Sequence, residues 1–475
     1  MGHLFRSMKT WLPAASLAAI ALTGCDNTFG EPDLNNEAAL RSFQTCDDLD
    51  DYIEQAILES LVRNSGGWGW AVDDFAEAGG DVANDGGRDA PTDFTTTNNQ
   101  EEGVDELDIV KTNGTHIFSV EQDTLYITQS WPIEDTELVS SVQLGGYARG
   151  LFLQGDTAIV LSQRYNNDRG DDNGLTERSW SSTLITVIDV SDPSAPEVLR
   201  EVDIEGYLAN GRLINGKVTL AVNSYMPIPQ VFWDLLWDDE IELPEYDWED
   251  TEAERELKRQ QTREILSPYV AELASEMDLT EFLPLYRDQL TDSPEAPVES
   301  LHACTDIYRP SNLSQYSVLS IVEIDATNTT DPVETAGLLS DGWQIYASQD
   351  NFYVAQTSWW WWWGWGDLDL NTHIHQFALT DTGPRYAASG SVPGWLLDQF
   401  SFSEYDGHLR VATTDNDWWW GTQTEDAEEA ANNIFVLENQ DGALTRVGEV
   451  RGIAPGERIF ASRGGAASAI LWPVQ

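Results

Sequence analysis

The sequence predicts an all-β protein: a β-propeller built from four-stranded antiparallel blades. Three observations predict it. A two-residue turn signal between short β-type runs recurs five times, as Asn113-Gly114, Gly155-Asp156, Asn215-Gly216, Asp350-Asn351 and Asp406-Gly407. Such pairs adopt φ > 0 readily, as a tight hairpin requires. Each hairpin is followed by a connection and then a second strand pair, for example around Thr183–Asp189, Val318–Asp325, His373–Phe377 and Asn433–Leu437. Hairpin, loop, hairpin repeated every roughly 40–60 residues is the period of propeller blades. Finally, 41% hydrophobic and 11% aromatic residues are ample for a large buried core. The chain reads as about five blades plus a stub, with an N-terminal helix and a helical insertion.

Residues 1–25 read as an export signal. Arg6 and Lys9 form a basic start, and Trp11 to Leu22 is an apolar run too short to span a bilayer as a mature helix. It ends in Leu22-Thr23-Gly24-Cys25, which resembles the bacterial lipobox; the resemblance implies that Cys25 is acylated and becomes the mature N-terminus. An ordinary signal peptide with an unrelated cysteine is the alternative. Residues 26–105 hold a polar tether, a helix and an irregular linker. In the helix, Leu49, Tyr52, Ile53, Ala56, Ile57 and Leu61 recur at helical spacing, with Thr45 or Asp47 as N-cap. It is expected to lie against the propeller.

The propeller spans 106–463. Blade one runs from Glu106 to Leu144 and blade two from Arg149 to Ile204. Blade three begins at Gly206 and is split by a helical insertion at 241–300, with Thr251–Glu276 strongly helical and a second short helix over Asp278–Leu290. Blade four covers Trp343 to Val392 and blade five Phe400 to Val450. A sixth blade starts at Glu457–Arg463 and passes into an atypical tail, 464–475, with no turn signal and with Gly464-Gly465-Ala466-Ala467, a poor strand former. The ring is therefore expected to stay open, the rival being Glu457–Arg463 completing blade one.

With 82 acidic against 25 basic side chains the formal charge is −57. A field of that sign repels nucleic acid and anionic lipid and favours cations or basic partners; a solvated surface suited to high salt is the plainer reading. Two cysteines remain beyond Cys25. In an oxidising compartment Cys46 and Cys304 are a disulfide candidate, and two buried free thiols are the alternative.

The connections between second and third strands all leave a propeller on one face, and the unusual sequences sit there. Blade four carries Trp359, Trp360, Trp361, Trp362, Trp363 and Trp365; blade five carries Trp418, Trp419 and Trp420, followed by Glu425 to Glu429. An aromatic, acidic face fits a protein, peptide or glycan ligand, and tryptophans packing on one another as a lid is the plainer alternative. His373 and His375 share one face of a strand, and with Asp367 and Asp369 nearby a metal site is conceivable. Asp168, Asp171 and Asp172, like Asp367 and Asp369, have the oxygen-ligand character of a Ca²⁺ loop, but neither loop matches an EF-hand. No other cofactor is indicated. G-x-S-x-G, HExxH, P-loop and dinucleotide motifs are lacking, and no catalytic residue stands out.

Several stretches together resemble the secreted bacterial proteins with a C-terminal β-propeller domain distantly related to WD-40 repeats. They are Thr97–Gly114 (the family's opening motif), Val392–Phe400, Ser403–Thr414 and Gly452–Phe460. The resemblance covers roughly Cys46 to Arg463, and Cys46 and Cys304 fall where such proteins tend to carry cysteines. It implies fold and compartment but no reaction. The expectation is an exported, cell-envelope lipoprotein, held to the membrane through its lipid anchor, that binds or scaffolds a ligand and does not bind nucleic acid. The alternative is an extracytoplasmic hydrolase or lyase that uses carboxylates.

Overall fold

All five turn signals join the first and second strands of a blade. The computed structural model describes residues 39–65, 99–165, 175, 180–225, 228–247, 249–291, 296–310, 317–340, 342, 344–357, 371–415, 430–465 and 468–474. Blade one is β3 (Val110–Thr112), β4 (His116–Glu121), β5 (Thr124–Gln129) and β6 (Glu137–Gln143). Blade two is β7 (Tyr147–Gln154), β8 (Thr157–Tyr165), β9 (Ser181–Asp189) and β10 (Glu197–Glu205). Blade three is β11 (Tyr207–Ile214), β12 (Lys217–Tyr225), β16 (Ser317–Asp325) and β17 (Glu334–Leu338). Blade four is β18 (Gln344–Ala347), β19 (Asn351–Thr357), β20 (Asn371–Thr380) and β21 (Gly383–Pro393). Blade five is β22 (Phe402–Tyr405), β23 (His408–Asp415), β24 (Ala431–Gln440) and β25 (Ala443–Ile453). Within each blade the strands pair antiparallel in chain order. Asn215-Gly216 and Asp406-Gly407 have φ of 51° and 83°, and 52° and 74°, the left-handed pair that a two-residue hairpin takes.

Alternating side chains put one apolar face of every blade against its neighbour. Phe118, Leu125 and Ile127 of blade one meet Leu151, Val160 and Ile188 of blade two. Phe152, Leu161 and Ile185 meet Leu213, Leu220 and Val322 of blade three. Ala221, Leu319 and Ile321 meet Ile345, Phe352 and Phe377 of blade four. Tyr346, Ile374 and Val392 meet Phe402, Val411 and Phe435 of blade five. At the crossovers between blades, buried side chains satisfy the backbone that leaves the sheets. Thr183 and Gln163 both donate to the Gly206 carbonyl at 3.1 Å, Thr372 donates to that of Gly394 at 2.7 Å, and Asn432 Nδ2 donates to those of Ile453 and Glu457 at 3.0 Å. Glycine is required at Gly206 and Gly394. Their φ values are +124° and +90°, and a Cβ would stand 2.5 Å from Ser224 Oγ and 2.6 Å from the Thr414 carbonyl oxygen.

Four expectations are corrected. Val104–Glu106 (β2) does not open blade one; it adds to the inner edge of blade three, antiparallel to β11, so blade one starts at Val110. Leu285–Leu290 is not a helix but a strand, β13, on the outer edge of blade two, joined there by β14 (Glu299–Ser300). Its Asp288 takes a two-pronged bond from the guanidinium of buried Arg200, and the residues before it form only one 3₁₀ turn, Leu279–Glu281. Residues 458–474 form a hairpin, β26 (Arg458–Gly465) with β27 (Ser468–Val474). Mutual pairing supplies the backbone bonds that the glycines and alanines do not favour locally, and Ile470, Leu471 and Val474 are good strand formers. β26 pairs with β27 and blade one is built from its own strands, so the rival in which Glu457–Arg463 completes blade one is not the arrangement observed. Exposed apolar side chains occur just before and on blade one (Ile109, Ile133, Leu138), on the outer strand of blade five (Val447, Val450) and at Phe460.

Helix α1 (Cys46–Asn64) carries the Thr45 N-cap in a capping box with Asp48. It packs mainly on the insertion rather than on the blades, the fourth correction. Leu49, Ile53, Ile57 and Leu61 share a core with Phe232 of α2 (Gln230–Asp234), with Leu266 and Val270 of α3 (Glu252–Ser275), and with Val318 and Leu339 of blade three. Glu59 of α1 holds the Arg263 guanidinium of α3 through both oxygens. Cys46 and Cys304 are disulfide-bonded with Cα atoms 5.2 Å apart. The chain on either side of that bond is also stitched to blade three: β1 (Leu40–Ser42) pairs with β15 (Ile307–Pro310), which runs parallel to β17.

Candidate functional site

The innermost strands of a propeller surround its axis, and here the chain's own lead-in segment lies along them. Gln100 Nε2 donates to the carbonyls of Gln399 (3.1 Å), in the 3₁₀ turn that leads into blade five, and of Phe402 (2.9 Å), the first residue of β22. Tyr346 Oη of blade four donates to Glu101 Oε1 at 2.7 Å, and Gln349 donates to the Glu102 carbonyl at 2.8 Å. Glu106 lies opposite Arg212 in blade three. Arg212 is buried, donates to Gln399 Oε1 at 2.6 Å, and is held by the charges of Glu106 and Asp105 against a burial that weakens its protonation. Lys111 is also buried; it donates to Asp105 Oδ1 and the Glu106 carbonyl. One short segment thus links blades three, four and five around the axis.

Toward the hairpin-turn end of the axis this segment completes a polar cluster. The Glu404 backbone N–H donates to Tyr346 Oη at 2.6 Å, and the Tyr346 hydroxyl in turn donates to Glu101 Oε1. Glu404 accepts from Tyr353 Oη at 2.9 Å and from Asn351 at 3.2 Å. Gln376 donates to Asn351 and Tyr353 and accepts from Asn439 of blade five. Burial raises the Glu101 carboxyl above its ordinary range and the Glu404 charge adds to this, while the Tyr346 hydrogen bond and Arg410 oppose it. Burial also raises both tyrosines; Glu101 and the Glu404 charge add to this at Tyr346, and Glu404 adds to it at Tyr353. At neutral pH the tyrosines therefore keep their protons and donate to the two carboxyl groups.

A second concave site lies in the insertion. A cavity of about 280 Å³ opens between α2 and the C-terminal half of α3. Val231, Leu235, Tyr269 and Leu273 give it an apolar floor, and Asp234, Asp238, Glu272 and Glu276 rim it. Both pairs of carboxylates are spaced i, i+4. The insertion leaves blade three after β12, at the end of the sheets where second strands meet third strands, and so stands at the opposite end from the axial cluster.

A family model described as a beta propeller domain matches residues 94–469. The chain belongs to this family. An uncharacterised protein of Methanocaldococcus jannaschii is 26% identical over 391 residues, covering 78% of this chain and 57% of the relative. An uncharacterised protein of Archaeoglobus fulgidus is 40% identical over 94 residues, 19% of this chain and 12% of the relative. The chain thus spans less than two thirds of the length of these relatives. Among solved structures, the N-terminal domain of Nup159 aligns over 80% of this chain and 82% of its own at 7% identity with a TM-score of 0.30. A Synechocystis apocarotenoid oxygenase variant aligns over 71% and 57% at 12% identity with a TM-score of 0.25. Likenesses this distant carry no argument about function.

In this beta propeller domain the residues expected to form sites are distributed as follows. Cys25, the tryptophans 359–363, 365 and 418–420, and Asp168, Asp171, Asp172, Asp367 and Asp369 lie outside the described residues. The strands that flank them are described: β8, β19 and β23 end, and β9, β20 and β24 begin, at one end of the blades. His373 and His375 both sit on β20. His375 is buried with Nδ1 2.7 Å from Ser389 Oγ, and burial together with the neighbouring His373 pushes its pKa down to about 3. Among the described residues no three His, Cys, Asp or Glu side chains gather as a metal site.

The axial cluster and the insertion groove were not anticipated residue by residue. The opening motif around Thr97–Gly114 held the signal for the first. The second had none, because its carboxylates are four among 82 acidic side chains.

Proposed function

We propose that this beta propeller domain protein is an exported, lipid-anchored binding module of the cell envelope. Its ligand surface is the end of the propeller that bears the strand-two to strand-three connections. One observation carries the reading: blades two to five all direct their long connections to that end, and one of these is a folded insertion fixed to the N-terminal helix by Cys46–Cys304. The sequences of the other connections supply tryptophans and carboxylates, the composition of a recognition surface. The acyl group on Cys25 attaches the module to the membrane. Substituting Cys25→Ala is expected to release the protein from the envelope fraction; continued partition with membranes would refute the lipid anchor.

The binding role is tested on the released form against immobilised glycans, basic peptides and Ca²⁺. Replacing Trp360, Trp362 and Trp419 together with Ala is expected to abolish capture and to shift stability by no more than about 0.5 kcal/mol, as for surface positions. A large loss of stability would identify the tryptophans as a structural lid.

A second reading, a hydrolase or lyase using carboxylates, is favoured by the raised Glu101 carboxyl beside Glu404. It requires that Glu101→Gln remove a measurable hydrolytic or lytic activity of the native protein while the fold persists.

A further inference from the structure

We propose that the groove between α2 and α3 seats a basic amphipathic peptide segment of a partner protein. The proposal rests on the binding-module reading and names the partner of the insertion. The groove has the size of a side-chain anchor. At about 280 Å³ it falls just below the roughly 300–1,000 Å³ of pockets that enclose whole small molecules. One or two apolar side chains, carried on a longer segment that continues outside, match it better than an engulfed ligand.

The apolar floor is accessible. Val231 and Tyr269 keep 39% and 42% of their surface in water, while Leu235 and Leu273 rest on the core shared with α1. Burying Val231 and the Tyr269 ring removes apolar surface that the fold leaves wet. The Tyr269 face is also a seat for a guanidinium or ammonium group.

The charges around the floor have no cationic partner among the described residues, although Asp234 accepts from Gln230 Nε2 at 3.0 Å and Asp238 from the Glu240 backbone N–H at 2.8 Å. Among the described residues, none of Asp234, Asp238, Glu272 and Glu276 is in an ion pair. Of the four cations of α3, three are paired elsewhere, Lys258 with Asp250, Arg259 with Glu252 and Glu256, and Arg263 with Glu59, and Arg255 stands among them at the far end of the helix from Glu272 and Glu276. All of these lie in the N-terminal half of the helix. Its last turn holds no basic residue, yet Glu272 sits in that turn and Glu276 is the C-cap residue. Carboxylates at a helix C-terminus oppose the macrodipole, and like charges at i, i+4 repel. A lysine or arginine from outside relieves both. A peptide with basic residues flanking an apolar stripe meets rim and floor at once, which is helix-in-groove recognition with an acidic border.

The test uses the full chain in its released form and a short synthetic Leu/Lys amphipathic peptide, with Leu/Glu and Ser/Lys counterparts. The Leu/Lys peptide is expected to bind saturably, and each counterpart at least about tenfold more weakly. The double variants Asp234→Asn/Asp238→Asn and Glu272→Gln/Glu276→Gln should each weaken Leu/Lys binding about tenfold or more, whereas Glu134→Gln/Asp135→Asn on blade one should not. The Glu272→Gln/Glu276→Gln variant should unfold at the same temperature as the parent or higher, because neutralisation relieves the helix end, so its loss of binding is not a loss of fold. Equal weakening by the blade-one variant, binding of the Ser/Lys peptide as tight as that of Leu/Lys, or no saturable binding overturns the proposal. The tryptophan variant reports separately: if it loses capture while the groove variants do not, the binding module stands and the groove is not its peptide site.

Discussion

Replacing Cys46 and Cys304 together with serine is expected to lower the stability of the protein by about 5 kcal/mol, measured by denaturant unfolding. The bond closes a loop with a sequence separation of 258, and the chain-entropy gain from restricting the unfolded state grows with the logarithm of that length. The loss should fall first on the substructure that the bond fixes. That substructure is α1 with its core against α2 and α3, the Glu59–Arg263 pair, and the β1–β15 pairing. Hydrogen exchange should therefore accelerate in α1 and the insertion before it does in blades two to five. A change below about 1 kcal/mol, or uniform acceleration across the blades, would show that the bond does not constrain this region.

A second large effect follows from two buried histidines. His302 sits between Thr335 Oγ1 at 2.9 Å and Ser320 Oγ at 2.8 Å, and His375 beside Ser389 Oγ at 2.7 Å. Burial pushes both pKa values from 6.5 to about 3. These are bases whose folded pKa lies below the unfolded one. Between pH 6.5 and about 3 the unfolded chain binds protons that the folded chain does not, so their contribution is complete above pH 6.5 and is lost as the pH falls. Each histidine adds about 1.4 kcal/mol per pH unit to the slope of stability in that window. The raised carboxyls of Glu101 and Asp398 work in the opposite sense. The comparison that isolates the histidine is therefore between parent and His302→Gln. The variant's stability should be flatter by about 1.4 kcal/mol per pH unit between pH 6.5 and 4.5. Parallel slopes would show that His302 titrates as an ordinary histidine.

The parts of the fold legible in the sequence were those fixed by local chemistry. Asn215-Gly216 and Asp406-Gly407 specify their hairpins because the turn geometry depends on the two residues themselves. The face of α1 could be read from the spacing of Leu49, Ile53, Ile57 and Leu61, and its start from Thr45. What stayed hidden depends on partners distant in sequence. Val104–Glu106 looks like the start of blade one because its real partner, Arg212–Ile214, is about a hundred residues away. Leu285–Leu290 continues a helical composition, and only the edge of blade two and buried Arg200 make it a strand. Nothing local marks Glu101 or Glu404 among so many acids; their distinction is burial beside Tyr346 and Tyr353. The tryptophan runs were conspicuous by composition alone, which says where aromatic surface is available and not how it is arranged.

The lead-in segment at the axis also sets an order of assembly. Gln100 is made before any blade, yet the carbonyls it bonds belong to residues 299 and 302 positions later, and Arg212 reaches Gln399 across a separation of 187. Contacts of such long range form late, after the chain between them has organised. Blades one and two can collapse on neighbouring sequence, but the axis cannot be sealed until blade five exists. A chain halted before Gln399 would keep Gln100 and Arg212 without these partners, two polar side chains facing an unfilled centre. The segment thus holds blades three and four through β2, Glu101 and Glu102, and reaches blade five only once Gln399 and Phe402 have been made.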